Sequence, residues 1–230
     1  MTVRGLVLAG LFAVPFFAFC GWSQSAPSGS SSSVQHPRRS VPSEAPGIEA
    51  GSVSQGVYRN KSFGFACKIP AGWVLRTDEL NARDDSDSEN TADKSTVQSG
   101  SERVLLAAFA RPPLARGEDV NSSILIAAES ASAYPGLKEA AQYFGPVTEV
   151  AKAQGFTVGE EPYDFAMGAK TLVRGDFEKN IGSRAMRQST LVMLARGYAV
   201  SFTFIGGTED EVEELIAGLS FAGAAKPQAH

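Results

Sequence analysis

Histidine is almost missing from this 230-residue chain, and the two present, His36 and His230, lie in its tails. A domain built between those tails can assemble no Ser-His-Asp or Cys-His site and no His-ligated zinc or iron centre. Carboxylate, Lys or Tyr acid–base chemistry is all that stays open to it. Cysteine is equally scarce, with Cys20 and Cys67 alone. Cys20 falls in the amino-terminal segment, so Cys67 has no partner and no disulfide staples the domain. Excess positive charge is missing too. The formal net charge is −4, which argues against a broad basic surface for nucleic acid or anionic lipid. No internal repeat is visible.

What is present first is a leader. Arg4 supplies a positive start, and Leu6 to Phe19 is an apolar stretch of 14 residues, the length of a signal-peptide core. Ser23-Gln24-Ser25 then precedes Ala26, which places the cut between Ser25 and Ala26; a cut after Ala26 is disfavoured by Pro27 just beyond it. Two rivals stand beside this reading. Cys20 could be lipidated, although Phe19 occupies the place where a small residue is wanted. Alternatively Gly5 to Trp22 could stay as an uncleaved anchor, but those 18 residues barely reach spanning length and contain Pro15. The favoured reading makes residues 1–25 a signal peptide and the protein extracytoplasmic, periplasmic or secreted. Its only links to a membrane would then be that signal or a lipid at Cys20.

Residues 26–54 are rich in Ser, Pro, Gly and Ala, with Ser-Gly-Ser-Ser-Ser-Ser from Ser28 to Ser33. They offer almost nothing apolar to offset the entropy of ordering, so they read as a disordered tether. The folded domain is expected over 55–222, followed by a 223–230 tail. Within it, 77–101 reads as an acidic, disordered insertion. Between Arg76 and Glu102 eight acids face three bases, and apolar residues are few.

The richest stretch runs from Tyr58 to Trp73. Phe63, Phe65, Cys67 and Ile69 recur with a period of two that marks a half-buried strand, and Pro70-Ala71-Gly72 stops it. A short strand at Val74-Leu75 and buried strands at Val104–Arg111 and Ser123–Glu129 follow. Leu137, Ala140, Ala141, Phe144, Val147, Val150 and Ala151 have helical spacing. Gly145-Pro146 interrupts it, which predicts a kinked helix or two short ones, ended by Gly155. The period of two returns at Phe156–Val158, Tyr163–Phe165, Ala169–Lys179, Ala185–Ala195 and Tyr198–Ile205, with Arg196-Gly197 as a tight hairpin turn. Thr208 and Glu211 form a capping box for a last helix carrying Val212, Leu215, Ile216 and Leu219, closed by Gly223. Helices grouped against a mainly antiparallel sheet define an α+β layered fold.

Tyr58-x-Asn60-x-x-Phe63-Gly64-Phe65 and Ile69-Pro70-x-Gly72-Trp73, in this order of elements, resemble the PsbP-like superfamily, which includes the PsbP subunit of photosystem II and the Mog nuclear import factor. The resemblance spans about residues 55 to 222. It implies a central antiparallel sheet sandwiched by helices, in proteins that are usually non-enzymatic and bind or help assemble other proteins. No Ran-binding or photosystem-docking residue set is matched.

Other constellations have bland readings that outweigh the chemical ones. Cys67 shares the face of Phe63, Phe65 and Ile69, where a thiol is inert packing. Asp85-x-Asp87-x-Glu89 opens like a calcium loop, but Asn90 stands where Gly is needed and Thr96 where a carboxylate is needed. Gly206-Gly207-Thr208 leads into a helix start that could hold an anion, yet Glu209, Asp210 and Glu211 would repel phosphate. Lys170, Arg174, Arg184 and Arg187 lie on neighbouring strands; pairing with Asp176 and Glu178 outweighs an anion groove. The expectation is a non-enzymatic exported domain with no catalytic residue, cofactor or metal, binding an unknown protein partner of the cell envelope. The alternative is a small-molecule or cation binder.

Overall fold

The computed structural model of the chain describes residues 48–82, 102–112 and 120–222. The leader, Cys20, the cut between Ser25 and Ala26, both histidines, the segment 83–101 with Asp85, Asp87 and Glu89, and the tail therefore lie outside the described residues. The chain enters through β1 (Ser52–Ser54), β2 (Val57–Asn60), β3 (Phe65–Lys68) and β4 (Val74–Leu75). A short helix, α1, covers 77–82. Then come β5 (Glu102–Phe109), β6 (Ser123–Ser130), a 3-10 turn (Ala131–Ala133) and α2 (Ala140–Ala153). Next are β7 (Thr157–Val158), β8 (Tyr163–Met167), β9 (Lys170–Ile181), β10 (Arg184–Ala195), β11 (Tyr198–Gly206), α3 (Glu209–Ala217) and β12 (Leu219–Phe221).

Two antiparallel sheets result. The large one runs β4-β5-β6-β11-β10-β9-β7, with β8 also paired to β9, and the small one runs β1-β2-β3-β12. Every pairing is antiparallel. The fold is α+β and mainly antiparallel, as the sequence predicts. The large sheet carries α2 on one face through Tyr143, Phe144, Val147 and Ala151, which meet Val173, Phe177, Val192 and Ala199. On that face Leu80 of α1 packs with Val104, Ala107, Phe109 and Leu125. The opposite face is covered by the small sheet together with α3, not by helix alone. Phe65, Cys67 and Phe221 there meet Phe202 and Phe204. Both faces of the large sheet are thus occupied.

The motif residues between Tyr58 and Trp73 have distinct physical jobs. Asn60, 1% exposed, accepts from the Phe63 amide (3.0 Å) and donates to the Glu49 carbonyl (2.9 Å). It thereby closes the turn and ties down the entering chain. Tyr58 donates to the Ala50 carbonyl at 2.7 Å, and a Cβ on Gly51 would meet its hydroxyl oxygen at 2.5 Å. Only a glycine lets the backbone approach this closely. Phe63, Phe65, Cys67 and Ile69 are all buried, and Trp73 packs against the same cluster.

The structure corrects three boundaries. The domain begins by Ile48, which is buried, and β1 lies inside the stretch read as tether. Ser-Val-Ser has no apolar stripe to announce it, and the hairpin to β2 holds it by backbone bonds. Residues 77–82 are helical, not part of a disordered insertion. Thr77 Oγ1 accepts from the Ala107 amide (3.0 Å), and the Asn81 side chain bonds both backbone groups of Val104 (3.0 Å each). Of the two forms expected at Gly145-Pro146, a kinked helix or two short ones, the structure has a single helix with Pro146 inside it. The bond that Pro146 cannot donate would go to Gln142, on the exposed side of the helix where water can serve that carbonyl. Finally α3 ends at Gly218, not Gly223, and Leu219 opens a strand that pairs with β3. By contrast, the hairpin at Arg196-Gly197 is as predicted. Ala195 faces Tyr198 across a two-residue loop with φ of 53° and 80°, the conformation of a primed turn.

Candidate functional site

Three groups of polar side chains lie inside or against the core. The first centres on Arg174 of β9, whose side chain is 9% exposed. Alternation along β9 turns Leu172, Arg174 and Asp176 toward the small-sheet side, where α3 crosses. Arg174 Nε donates to both carboxylate oxygens of Asp176 (2.9 and 3.0 Å). Its Nη2 donates to Ser189 Oγ (3.1 Å) and to Glu213 on α3 (2.5 Å). Its guanidinium also sits 5.3 Å from the Phe165 ring centre. Ser189 donates to Asp176, and Tyr163 Oη donates to the other Asp176 oxygen at 3.0 Å. The Tyr163 hydroxyl is pushed up to about 12 by desolvation and by the Asp176 charge. Its Nε and Nη2 are both taken up inside the fold, and the arrangement clamps α3 onto β9 and β10. Arg187 likewise pairs with Glu178 directly across the strands at 3.0 Å. The bland reading of these basic residues is the one the geometry supports. Replacing Arg174 by Met would leave Asp176 and Glu213 without their shared cation. Both carboxylates are part-exposed, so we expect urea unfolding to show a loss of about 1–3 kcal/mol rather than the larger cost of a fully buried pair.

The second group surrounds Glu129 at the end of β6, 2% exposed. Its Oε2 accepts from Tyr134 Oη (2.7 Å) and from Tyr143 Oη of α2 (2.5 Å). The two rings meet edge to face, 5.2 Å apart. Its Oε1 is buried with no hydrogen-bond partner. Burial raises the Glu129 carboxyl above its ordinary value, and the two tyrosine bonds oppose that only in part. Directly across the ladder stands Glu102 of β5. Sequence reasoning missed this site. Glu129 reads there as the polar end of an apolar strand, and no spacing links it to tyrosines 5 and 14 residues further on.

The third feature is a crevice of ≈ 50 Å³ between α2 and the sheet, room for three or four waters. Gln188, Thr190, Ser201 and Thr203 of the sheet line its floor. Thr190 and Thr203 are hydrogen-bonded at 3.1 Å, and Gln188 donates to Thr190 at 3.3 Å. Tyr143, Val147 and Ala151 form its wall.

The remaining sequence candidates resolve as structure. Cys67 is 0% exposed and its thiol is pushed up to about 12 by burial, so it is packing. Gly207 N–H is taken by the Glu211 carboxylate at 2.8 Å, and Ser122 donates to the same group at 2.5 Å. Thr208 accepts from the Glu211 amide at 3.2 Å. That helix start is filled by its own acid. Among the described residues no cluster of three or more His, Cys, Asp or Glu is placed to hold a metal ion, and no helix is long and apolar enough to cross a membrane.

No family model and no curated protein matches the chain. Among solved structures it is similar to cyanobacterial PsbP (CyanoP) from Synechocystis sp. PCC 6803, at 15% identity and a TM-score of 0.40 over 74% of this chain and 96% of that one. It is also similar to the Ran-binding protein Mog1p of Saccharomyces cerevisiae, at 11% identity and 0.36 over 69% and 90%. A third is LpqN, involved in cell envelope biogenesis of Mycobacterium tuberculosis, at 13% identity and 0.33 over 68% and 82%. At these scores and identities no activity, ligand or partner passes from them to this chain.

Proposed function

We propose that this chain is an exported, non-enzymatic module that binds another protein, or helps assemble a protein complex, in the cell envelope. The observation that carries this reading is the way apolar surface is distributed. The interior is filled by interdigitating aromatic and aliphatic side chains. The space left under α2 is ≈ 50 Å³, far below the 300–1,000 Å³ or so of a drug-sized ligand site; a cleft of ≈ 470 Å³ beside Val120, Arg184 and Glu211 reaches that size but lacks the mostly apolar lining of such a site. Large apolar groups left in water stand instead at strand edges and turns: Val53, Leu75, Tyr163 and Ile181. Because both faces of the large sheet are covered, docking falls to edges and hairpin tips.

The β9–β10 arm is the best placed of these. Its outer part, from Asn180 to Arg184, is exposed, and Ile181 at its tip is 46% exposed. Lys179 steadies the base of the arm, donating to the Gln154 carbonyl at 2.6 Å beside the Phe156 ring. Arg184 and Arg187 flank the tip. An exposed apolar side chain at a hairpin tip suits a partner surface with an apolar pocket. Export rests on Arg4 and the apolar run from Leu6 to Phe19.

Tagged full-length chain, cross-linked and recovered from its native envelope fraction, should yield one stoichiometric protein partner. Ile181→Asp should cut that recovery at least tenfold while leaving the melting temperature unchanged. Recovery of a small molecule and no protein would replace this reading by the ligand-binding one.

A further inference from the structure

Glu129 is a titratable group buried beneath a helix, and nothing in the proposed interaction uses it. Its surroundings treat its two oxygens unequally. Oε2 receives two hydroxyl donors, one from α2 and one from the turn that leads to it. Oε1 receives none and is shut off from solvent. The groups that face it are Glu102 on β5, Tyr134 after the 3-10 turn and Tyr143 on α2; the opposed residue on β11 is Ala199, which is uncharged. Among the described residues no basic side chain pairs with Glu129. An ionised Glu129 would hold a bare, unsolvated oxygen across the ladder from a second carboxyl group. The protonated acid removes that charge while Oε2 still accepts from both tyrosines.

We propose that Glu129 is a proton-controlled latch for the segment 131–153. With its proton on, the carboxyl group seats Tyr134 and Tyr143 and holds α2 on the sheet. When the proton leaves, the charge beneath α2 loosens the turn and the helix and opens the crevice that Tyr143 walls. Burial sets the sign, since it raises this group above its ordinary value. The contribution is complete below the ordinary carboxylate value and is lost as pH rises through the raised one. The latch therefore holds in acid and slackens toward neutral and alkaline pH.

Hydrogen–deuterium exchange on the full chain at pH 5 and pH 8, corrected for intrinsic rates, tests this. In the wild type the protection of amides in 140–153 should fall several-fold between the two, while β10 and β11 change little. Glu129→Gln keeps an acceptor for both tyrosines and carries no titration, so its protection should be flat across the range. Should that variant fail to fold, Tyr134→Phe serves: it removes a donor that favours the charged form and should move the wild-type transition to higher pH. Parallel pH profiles for wild type and Glu129→Gln would overturn the latch. So would a Tyr134→Phe transition that stays put or moves to lower pH.

Discussion

Phe202→Ala should cost about 3–5 kcal/mol in urea unfolding, the largest loss expected from one side chain in this protein. Phe202 is fully buried on β11, between Ile126 and Leu191 on the flanking strands. Its ring meets Phe65 of β3 edge to face at 4.9 Å and Phe221 of β12 at 6.0 Å. These contacts join the two sheets, so the truncation removes more than transfer energy. The strands around it are fixed by long ladders and cannot collapse into the void, which puts the cost at the upper end for a core aromatic. Domains of this size are stable by about 5–15 kcal/mol, so the loss would be a large share of the total. The small sheet should suffer most, because its strands are three or four residues long and packing holds them more than hydrogen bonds do. Amides of β3 and β12 should lose protection before those of β10. A loss below about 2 kcal/mol would mean that the sheets are held together elsewhere.

Elements that bury one whole face were legible in the sequence, and those that rely on partners far along the chain were not. The alternation of Phe63, Phe65, Cys67 and Ile69, and that of Tyr198, Val200, Phe202 and Phe204, run long enough to override other patterns. Arg196-Gly197 fixed a register by itself, because a two-residue primed turn admits few geometries. β1 and β12 have three residues each, too few for a period to form. Leu219 also falls one helical step after Leu215 and Ile216, so the stripe of α3 ran on into a strand. In α2 the spacing assigned Ala141 to the apolar side, whereas the helix exposes Ala141 and buries Tyr143. A tyrosine is legible as core only once a partner for its hydroxyl is known, and that partner, Glu129, lies on another element. The same holds for Arg174. Its pairing with Asp176 was readable from the strand pattern, but Glu213 is 39 residues away and meets it only because α3 crosses that end of the sheet.

A glycine and a ring make the second large effect, and here two damaging substitutions should partly cancel. Phe144 of α2 is 1% exposed and lies over Gly175 of β9. A Cβ at residue 175 would meet two of its ring carbons at 2.5 and 2.9 Å. The φ of Gly175 is not positive, so the demand is for space and not for an unusual backbone. Those atoms belong to a ring wedged between α2 and the sheet, which cannot swing aside as the end of a lysine could. Gly175→Ala must push the ring, and α2 with it, away from β9, at about 1–3 kcal/mol. Phe144→Ala empties the same place and should cost about 3–5 kcal/mol. In the double variant the new methyl group occupies part of the space the ring has left. Its cost should therefore fall short of the sum of the two single costs by at least about 1 kcal/mol, a coupling expected only of residues in direct contact. Urea unfolding of all four proteins closes the cycle. Simple additivity would mean that Phe144 does not rest on Gly175, and that the seating of α2, on which the Glu129 latch depends, is set by Val147 and Ala151 instead.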